Sequence, residues 1–109
     1  MPGYSLAFVS KGDGTMLALI AKFDVVEGKE AQFEQHLLGL AAKVRANEPG
    51  NELYTLCRDE DGNYLMLELY RDAESLAAHG QSDHFKAAGA GFQGLLAGRP
   101  EIQRLEVVG

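Results

Sequence analysis

From Met16 to Asp24 the run MLALIAKFD is apolar on both alternating sets of positions. Leu17, Leu19, Ala21 and Phe23 fall on one face, and Met16, Ala18 and Ile20 on the other. A strand of this kind lies in the middle of a sheet that is covered on both sides. After Glu27-Gly28 the period lengthens, and Phe33, Leu37, Leu40, Ala41 and Val44 recur as the single buried stripe of a helix. Asn47-Glu48-Pro49-Gly50 ends that helix. Asn51 to Arg58 alternates again, with Leu53, Thr55 and Cys57 against Tyr54 and Leu56, and its charged ends suit a sheet edge. An acidic turn through Gly62-Asn63 leads into Tyr64 to Tyr70, where Leu65, Leu67 and Leu69 oppose Tyr64, Met66, Glu68 and Tyr70.

Beyond this strand Asp72 is placed to cap a short helix carrying Leu76 and His79, and Ser82 to open another beginning Asp83-His84-Phe85. Phe85, Ala88, Phe92, Leu95 and Leu96 mark the stripe of this last helix, which Arg99-Pro100 stops. Gly89, Gly91 and Gly94 each cost a helix interior about 1 kcal/mol against alanine, so they predict close approach by a neighbour, or a bent or frayed helix. Glu101 to Val108 reads as a final edge strand. The order β-α-β-β-α-β, with the first and third strands the most apolar, is that of a ferredoxin-like α+β fold with helices on one face. The other apolar face then needs a cover, and a second copy of the chain is the simplest one, which predicts a homodimer. Residues 1–15 are expected to form an arm or an extra strand, and residues 16–109 the single domain.

Composition narrows the partners. A formal net charge of −6 over 109 residues disfavours nucleic acid and anionic membrane, since phosphate binding draws on Lys and Arg. The one cysteine, Cys57, permits no internal disulfide and suits a reducing cytoplasm, where it reads as a small apolar residue. No apolar run approaches the roughly 20 residues that span a bilayer, and residues 1–15 lack the pattern of a secretion signal, so a cytoplasmic protein is expected. Neither histidines nor carboxylates show metal-ligand spacing, and no phosphate loop or dinucleotide fingerprint is present, so no metal and no cofactor are expected.

Chemistry concentrates between Tyr64 and Phe85. His79 falls on the inward side of its helix, where a neutral imidazole can accept a proton near neutral pH. Glu68 sits in mid-strand among apolar residues and needs a partner, for which Arg58, Lys22 or a histidine are candidates. Tyr70 and Tyr54 can stack on an aromatic ligand and donate a hydrogen bond. His84 is expected at solvent or at a dimer rim, and His36 at the edge of the first helix's stripe.

Taken together, Val26-Glu27-Gly28-Lys29-Glu30, Glu48-Pro49-Gly50, Glu68-x-Tyr70 and Leu76-x-x-His79-x-x-Ser82-x-x-Phe85 resemble the antibiotic biosynthesis monooxygenase-like family of dimeric α+β barrels. The resemblance implies a pocket between sheet and helices in each protomer, and chemistry such as oxygenation of quinols or polyketide aromatics without metal or flavin. Haem-degrading relatives are disfavoured. Gly89 stands where their histidine ligand would be, Ala21-Lys22 where they use an asparagine, and Tyr70 where a tryptophan is usual. The expectation is a cofactor-free monooxygenase that joins a small hydroquinone or polyphenol to O2. His79, Glu68 and Tyr70 would do the chemistry, and Phe23, Tyr54, Phe85, Phe92 and His36 would bind the ring. A non-oxidative isomerase or small-carbonyl-processing enzyme using the same His and Glu, and a non-catalytic ligand-binding dimer, stay open beside it.

Overall fold

The computed structural model describes residues 14–109; the predicted N-terminal arm falls largely outside them. The elements run β1 (Leu17–Phe23), α1 (Glu30–Asn47), β2 (Asn51–Arg58), β3 (Tyr64–Tyr70), α2 (Ala73–Gln81), α3 (Asp83–Gly91) and β4 (Glu101–Glu106). All neighbouring strands are antiparallel in the order β2-β3-β1-β4, so the two most apolar strands are central, as expected of this ferredoxin-like α+β fold.

Register decides what each face carries. Leu17, Leu19, Ala21 and Phe23 lie opposite Tyr70, Glu68, Met66 and Tyr64, and this face receives the helices. The α1 stripe of Phe33, Leu37, Leu40, Ala41 and Val44 is buried against it. Phe33 is in ring contact with Phe23 at 5.1 Å and with Tyr64 at 5.0 Å between centroids, so aromatic packing locks the end of the sheet under α1. The opposite face carries Leu53, Leu69, Ala18 and Leu105 in one row and Thr55, Leu67, Ile20 and Gln103 in the next. No described element covers these rows. Ala18, Ile20, Leu65, Leu67 and Leu69 are only half-buried, while their neighbours on the helix side are buried.

The last helix differs from expectation. It stops at Gly91 rather than reaching Arg99, because Gly94 takes φ +80° and Leu96 turns aside to bridge Val25. Gly91 is needed for another reason: a Cβ there would stand 2.2 Å from Cε1 of His36. The His36 ring fills that space, bonding through Nε2 to the Ala88 carbonyl at 2.8 Å and meeting the Phe92 ring edge-on at 4.7 Å. It thereby fastens α1 to α3.

Candidate functional site

The site is assembled where α1 ends and α2 gives way to α3. Pro49 disfavours helical backbone at the residue before it, so Glu48 is extended at φ −120°, ψ 90° and leaves the helix axis. The following turn is pressed against α2, since a Cβ on Gly50 would lie 2.0 Å from Ser75 Oγ. Arg71 N–H donates to the Gly50 carbonyl at 2.9 Å, which ties the turn to the end of β3. Asp72 caps α2 through Ser75 N–H at 2.8 Å, and Ser82 caps α3 through Phe85 N–H while its hydroxyl donates to the His79 carbonyl at 2.7 Å. These local bonds set the angle between the two helices and aim both histidines inward.

Their common target is Glu48. His79 Nδ1 lies 2.9 Å from Glu48 Oε2 and 3.1 Å from Oε1, and His84 Nε2 lies 2.5 Å from Oε2. An ionised carboxylate only accepts, so each ring nitrogen facing it donates. The cluster is well covered, with side-chain exposures of 5% for His79, 8% for Glu48 and 13% for His84. Aromatic rings cage His79: Phe85 at 4.7 Å, Tyr54 at 5.3 Å and Tyr70 at 5.4 Å between centroids.

A cavity of about 590 Å³ lies on the far side of His79. It is lined by Leu19, Glu68, Ala73, Leu76, Ala77, His79, Gly80, Phe85, Ile102 and Arg104. Ile102 and Arg104 are exposed, so the cavity opens along β4. Glu68, Leu19 and Arg104 form one row across β3, β1 and β4, so an acid and a guanidinium sit on the same wall with a leucine between them. Glu68 is buried and accepts from the Tyr70 hydroxyl at 2.7 Å. Burial pushes its carboxyl up to about 7; the Tyr70 hydrogen bond works against that rise and the charge of Glu48 adds to it. Burial first, and then the neighbouring acids, hold the phenols of Tyr54 and Tyr70 far above their ordinary range, so both stay protonated as hydrogen-bond donors.

Several expectations are corrected by this arrangement. The partner of Glu68 is Tyr70, not Arg58, Lys22 or a histidine; Arg58 instead pairs with Glu34 at 3.5 Å. The acid hydrogen-bonded to His79 is Glu48. His84 lies against Glu48, not at open solvent. Of the predicted ring-binding residues only Phe85 lines the cavity. Phe23 and Phe92 stack on each other at 6.1 Å beside Phe33 in the core, where they hold α1 and the sheet together. His36 joins α1 to α3 and borders a different hollow. Tyr54 and Tyr70 stand behind His79 and Glu68 and do not form the wall. Glu48 and Arg104 were not anticipated. Glu48 reads in sequence as a helix-ending residue, and Arg104 as an ordinary charge on an edge strand, although its alternation with Ile102 places both on the helix side. The lack of metal-ligand spacing in the sequence is likewise offset by folding, which brings ligand atoms of Glu48, His79 and His84 within 4.8 Å of one another.

The sequence model of the antibiotic biosynthesis monooxygenase family matches residues 16–91. The chain belongs to that family. This monooxygenase-family domain superposes on a proposed antibiotic biosynthesis monooxygenase of Caulobacter crescentus with 40% identity and a TM-score of 0.87, each chain covered in full. A Pseudomonas aeruginosa protein is similar at 30% identity and TM-score 0.77, with 87% of this chain and 96% of that one covered. A conserved protein of Methanosarcina mazei gives 26% identity and TM-score 0.77 over 84% and 92%. No curated protein matches the chain. Within the family match fall Glu48, Glu68, His79, His84 and Phe85, whereas Arg104 lies beyond it. No helix among the described residues is long and apolar enough to cross a membrane.

Proposed function

We propose that the chain is a cofactor-independent monooxygenase for a small, electron-rich aromatic such as a hydroquinone or polycyclic phenol, bound in the cavity beside His79. The observation that carries this reading is His79 in the cavity wall, with Glu48 hydrogen-bonded to its Nδ1. With Nδ1–H directed to the carboxylate, the neutral ring keeps its lone pair on Nε2, to which no other described group is hydrogen-bonded. That nitrogen is the proton acceptor, and the charge of Glu48 stabilises the imidazolium that forms. Leu19, Leu76, Phe85 and Ile102 offer apolar surface to a flat ring, and Arg104 offers a guanidinium to its anion.

The reaction uses the substrate's own electrons. Loss of a phenolic proton to His79 gives an electron-rich anion whose ring carbon bonds to O2. The resulting peroxide breaks at its O–O bond, leaving one oxygen in the product carbonyl and releasing the other as water. Glu68, held near neutrality, supplies and retrieves the protons of that second stage.

A second reading has its own support. Glu68, His79 and Arg104 make one wall of the cavity charged or titratable, which also fits proton transfer on a small polar carbonyl compound without O2. The presence of a cavity beside His79 and Glu68 weighs against a filled, purely structural module. Oxygen uptake with a quinol probe separates the two enzymes. One O2 consumed per quinol, with no turnover under anaerobic conditions and a large loss in His79→Ala, supports the oxygenase. Equal rates with and without O2, or full activity in His79→Ala, overturn it.

We further propose that the uncovered sheet face meets the same face of a second copy. The two apolar rows centred on Leu69 and Leu67 are wide enough to serve as a sheet-on-sheet interface, and a twofold contact would cover both copies at once.

A further inference from the structure

We propose that Glu48, His79 and His84 form a binding site for one divalent transition-metal ion, of the zinc and cobalt class, and that its occupation switches off His79 as a proton acceptor. The second half rests on the functional reading above; the first does not.

Two imidazoles and one carboxylate are a donor set suited to such ions, with a position left open for water or another ligand. Here the three potential ligand atoms lie within 4.8 Å of one another, on side chains that are all at least mostly buried. They come from three separate anchored points: the end of α1, the last turn of α2 and the first turn of α3. The close packing of Gly50 on Ser75 and the bond from Ser82 Oγ to the His79 carbonyl brace those points, so the set is preformed. Adjacent ligands around a tetrahedral zinc ion stand roughly 3.3 Å apart, as follows from metal–ligand bonds of about 2.0–2.1 Å. To admit an ion in place of the protons, the contacts of 2.5 and 2.9 Å onto Glu48 Oε2 would lengthen by less than about 1 Å, and the two imidazole nitrogens, within 4.8 Å of each other, would settle to the same spacing.

Access does not require the substrate cavity. Glu48 and His84 line a separate hollow of about 310 Å³ whose walls also include Arg71, Asp72 and Glu74. Its two further carboxylates favour entry of a cation, and the single guanidinium opposes them. The ion would thus approach from one side of the cluster while substrate approaches His79 from the other.

The switch follows from proton counting on one ring. A neutral imidazole carries one proton. Facing Glu48 through Nδ1–H, it holds that proton on Nδ1 and offers Nε2 as a base. When the ion takes the Nδ1 lone pair, the proton must reside on Nε2, and that edge becomes a donor. His79 then has no lone pair for the phenolic proton. No electron transfer is involved; Nδ1 exchanges its proton-bearing state for a metal bond.

The test is titration of the chelator-treated protein with Co2+, followed by visible d–d absorption and calorimetry. One Co2+ per chain is expected, displaced by Zn2+. In His84→Ala the affinity should fall by at least roughly 100-fold, the upper end of what loss of even an outer-shell partner costs. Glu48→Gln, which keeps the shape of the side chain, should show the same loss should the alanine variant fold poorly. Absent d–d bands, or equal affinity in both variants, overturn the site. The 15N resonance of His79 Nε2 reports the switch without any substrate, moving from the acceptor to the N–H position when Zn2+ is added. An unmoved resonance in the metal-bound protein overturns the switch and leaves the site standing. Zn2+ inhibition of oxygen uptake, relieved by chelator, is the matching result in turnover.

Discussion

Glu48 and His79 are 31 residues apart in sequence and 2.9 Å apart in the fold. The carboxylate holds Nδ1 of a ring that also lines the cavity, so on the proposed reading Glu48 positions His79 without reaching the substrate itself. Glu48→Gln should therefore reduce kcat by about 10–100-fold with little change in KM, and His79→Ala by about 10²–10⁴-fold, the range of a general base. Oxygen uptake across a series of quinol concentrations measures both. A rise in KM with unchanged kcat in Glu48→Gln would show that the pair contributes to binding rather than to proton transfer. Glutamine keeps an accepting oxygen but carries no charge and presents an NH2 donor, so the imidazolium formed in the proposed reaction loses its counter-charge in this variant.

Glu68 makes stability depend on pH. Its carboxyl is pushed from 4.5 up to about 7 in the folded chain, first by burial. Below 4.5 the acid is protonated in both folded and unfolded chains and contributes no difference. Between 4.5 and 7 the unfolded chain releases the proton while the folded chain keeps it, so the folded state binds more protons and its stability falls as pH rises. The full penalty, on the order of 3 kcal/mol, is reached above pH 7. Glu68→Gln keeps an oxygen for the Tyr70 hydroxyl and removes the ionisation. Its stability relative to the parent chain should rise between pH 5 and pH 8 by a similar amount, measured by urea unfolding at each pH. A parallel pH dependence in both proteins would place the titration elsewhere.

The elements were legible where their signals are local. β2 and β3 run over the predicted residues because each is bounded by turn chemistry, and β3 alternates cleanly while β2 shifts register near Leu53; the caps at Asp72 and Ser82 form because each sits three residues before the N–H it accepts. The cluster on Glu48 was not legible, since it depends on the docking of three helix ends separated by 31 and 36 residues. Tyr70 as the partner of Glu68 was within reach of the sequence, because residues i and i+2 of a strand share a face and a buried carboxylate is satisfied by a hydroxyl as well as by an opposite charge. Of the three glycines only Gly91 has the close neighbour that was expected; Gly89 has none, and Gly94 lies past the helix end at φ +80°. That the neighbour is His36, and not a ligand, required the packing of α1 on α3.

Gly91 gives that packing a direct test. A methyl group at this position would lie 2.2 Å from His36 Cε1 and 2.6 Å from Nε2, and the ring is held by the Ala88 carbonyl on one side and Phe92 on the other. Gly91→Ala should destabilise the chain by about 1–3 kcal/mol, the usual cost of overpacking, despite the better helix propensity of alanine. Thermal or urea unfolding reads the loss. Combining it with His36→Ala should recover part of the loss, because the clashing atoms are gone; strict additivity would show that His36 is not the obstacle.

The uncovered sheet face supplies the last prediction. Leu67 lies between Thr55 and Ile20 in the central row of that face and is half-buried within a single chain. In a sheet-to-sheet pair it would be sealed near the middle of the contact, and each buried leucine contributes about 1.5–3 kcal/mol. Leu67→Asp puts an unpaired carboxylate there twice, once from each copy, whereas in a monomer the half-buried position keeps it in contact with water. The parent chain should sediment at twice the chain mass and the variant at the mass of one chain, with the helix-side core intact by near-ultraviolet circular dichroism. A parent chain that sediments as a monomer, or a variant that keeps the dimer mass, would show that this face does not join two copies. The strands carrying Leu67 and Ile20 also carry Glu68 and Leu19 on the cavity side. A variant that loses the dimer should therefore loosen the floor of the cavity and lower turnover as well, without any change to His79 or Glu48.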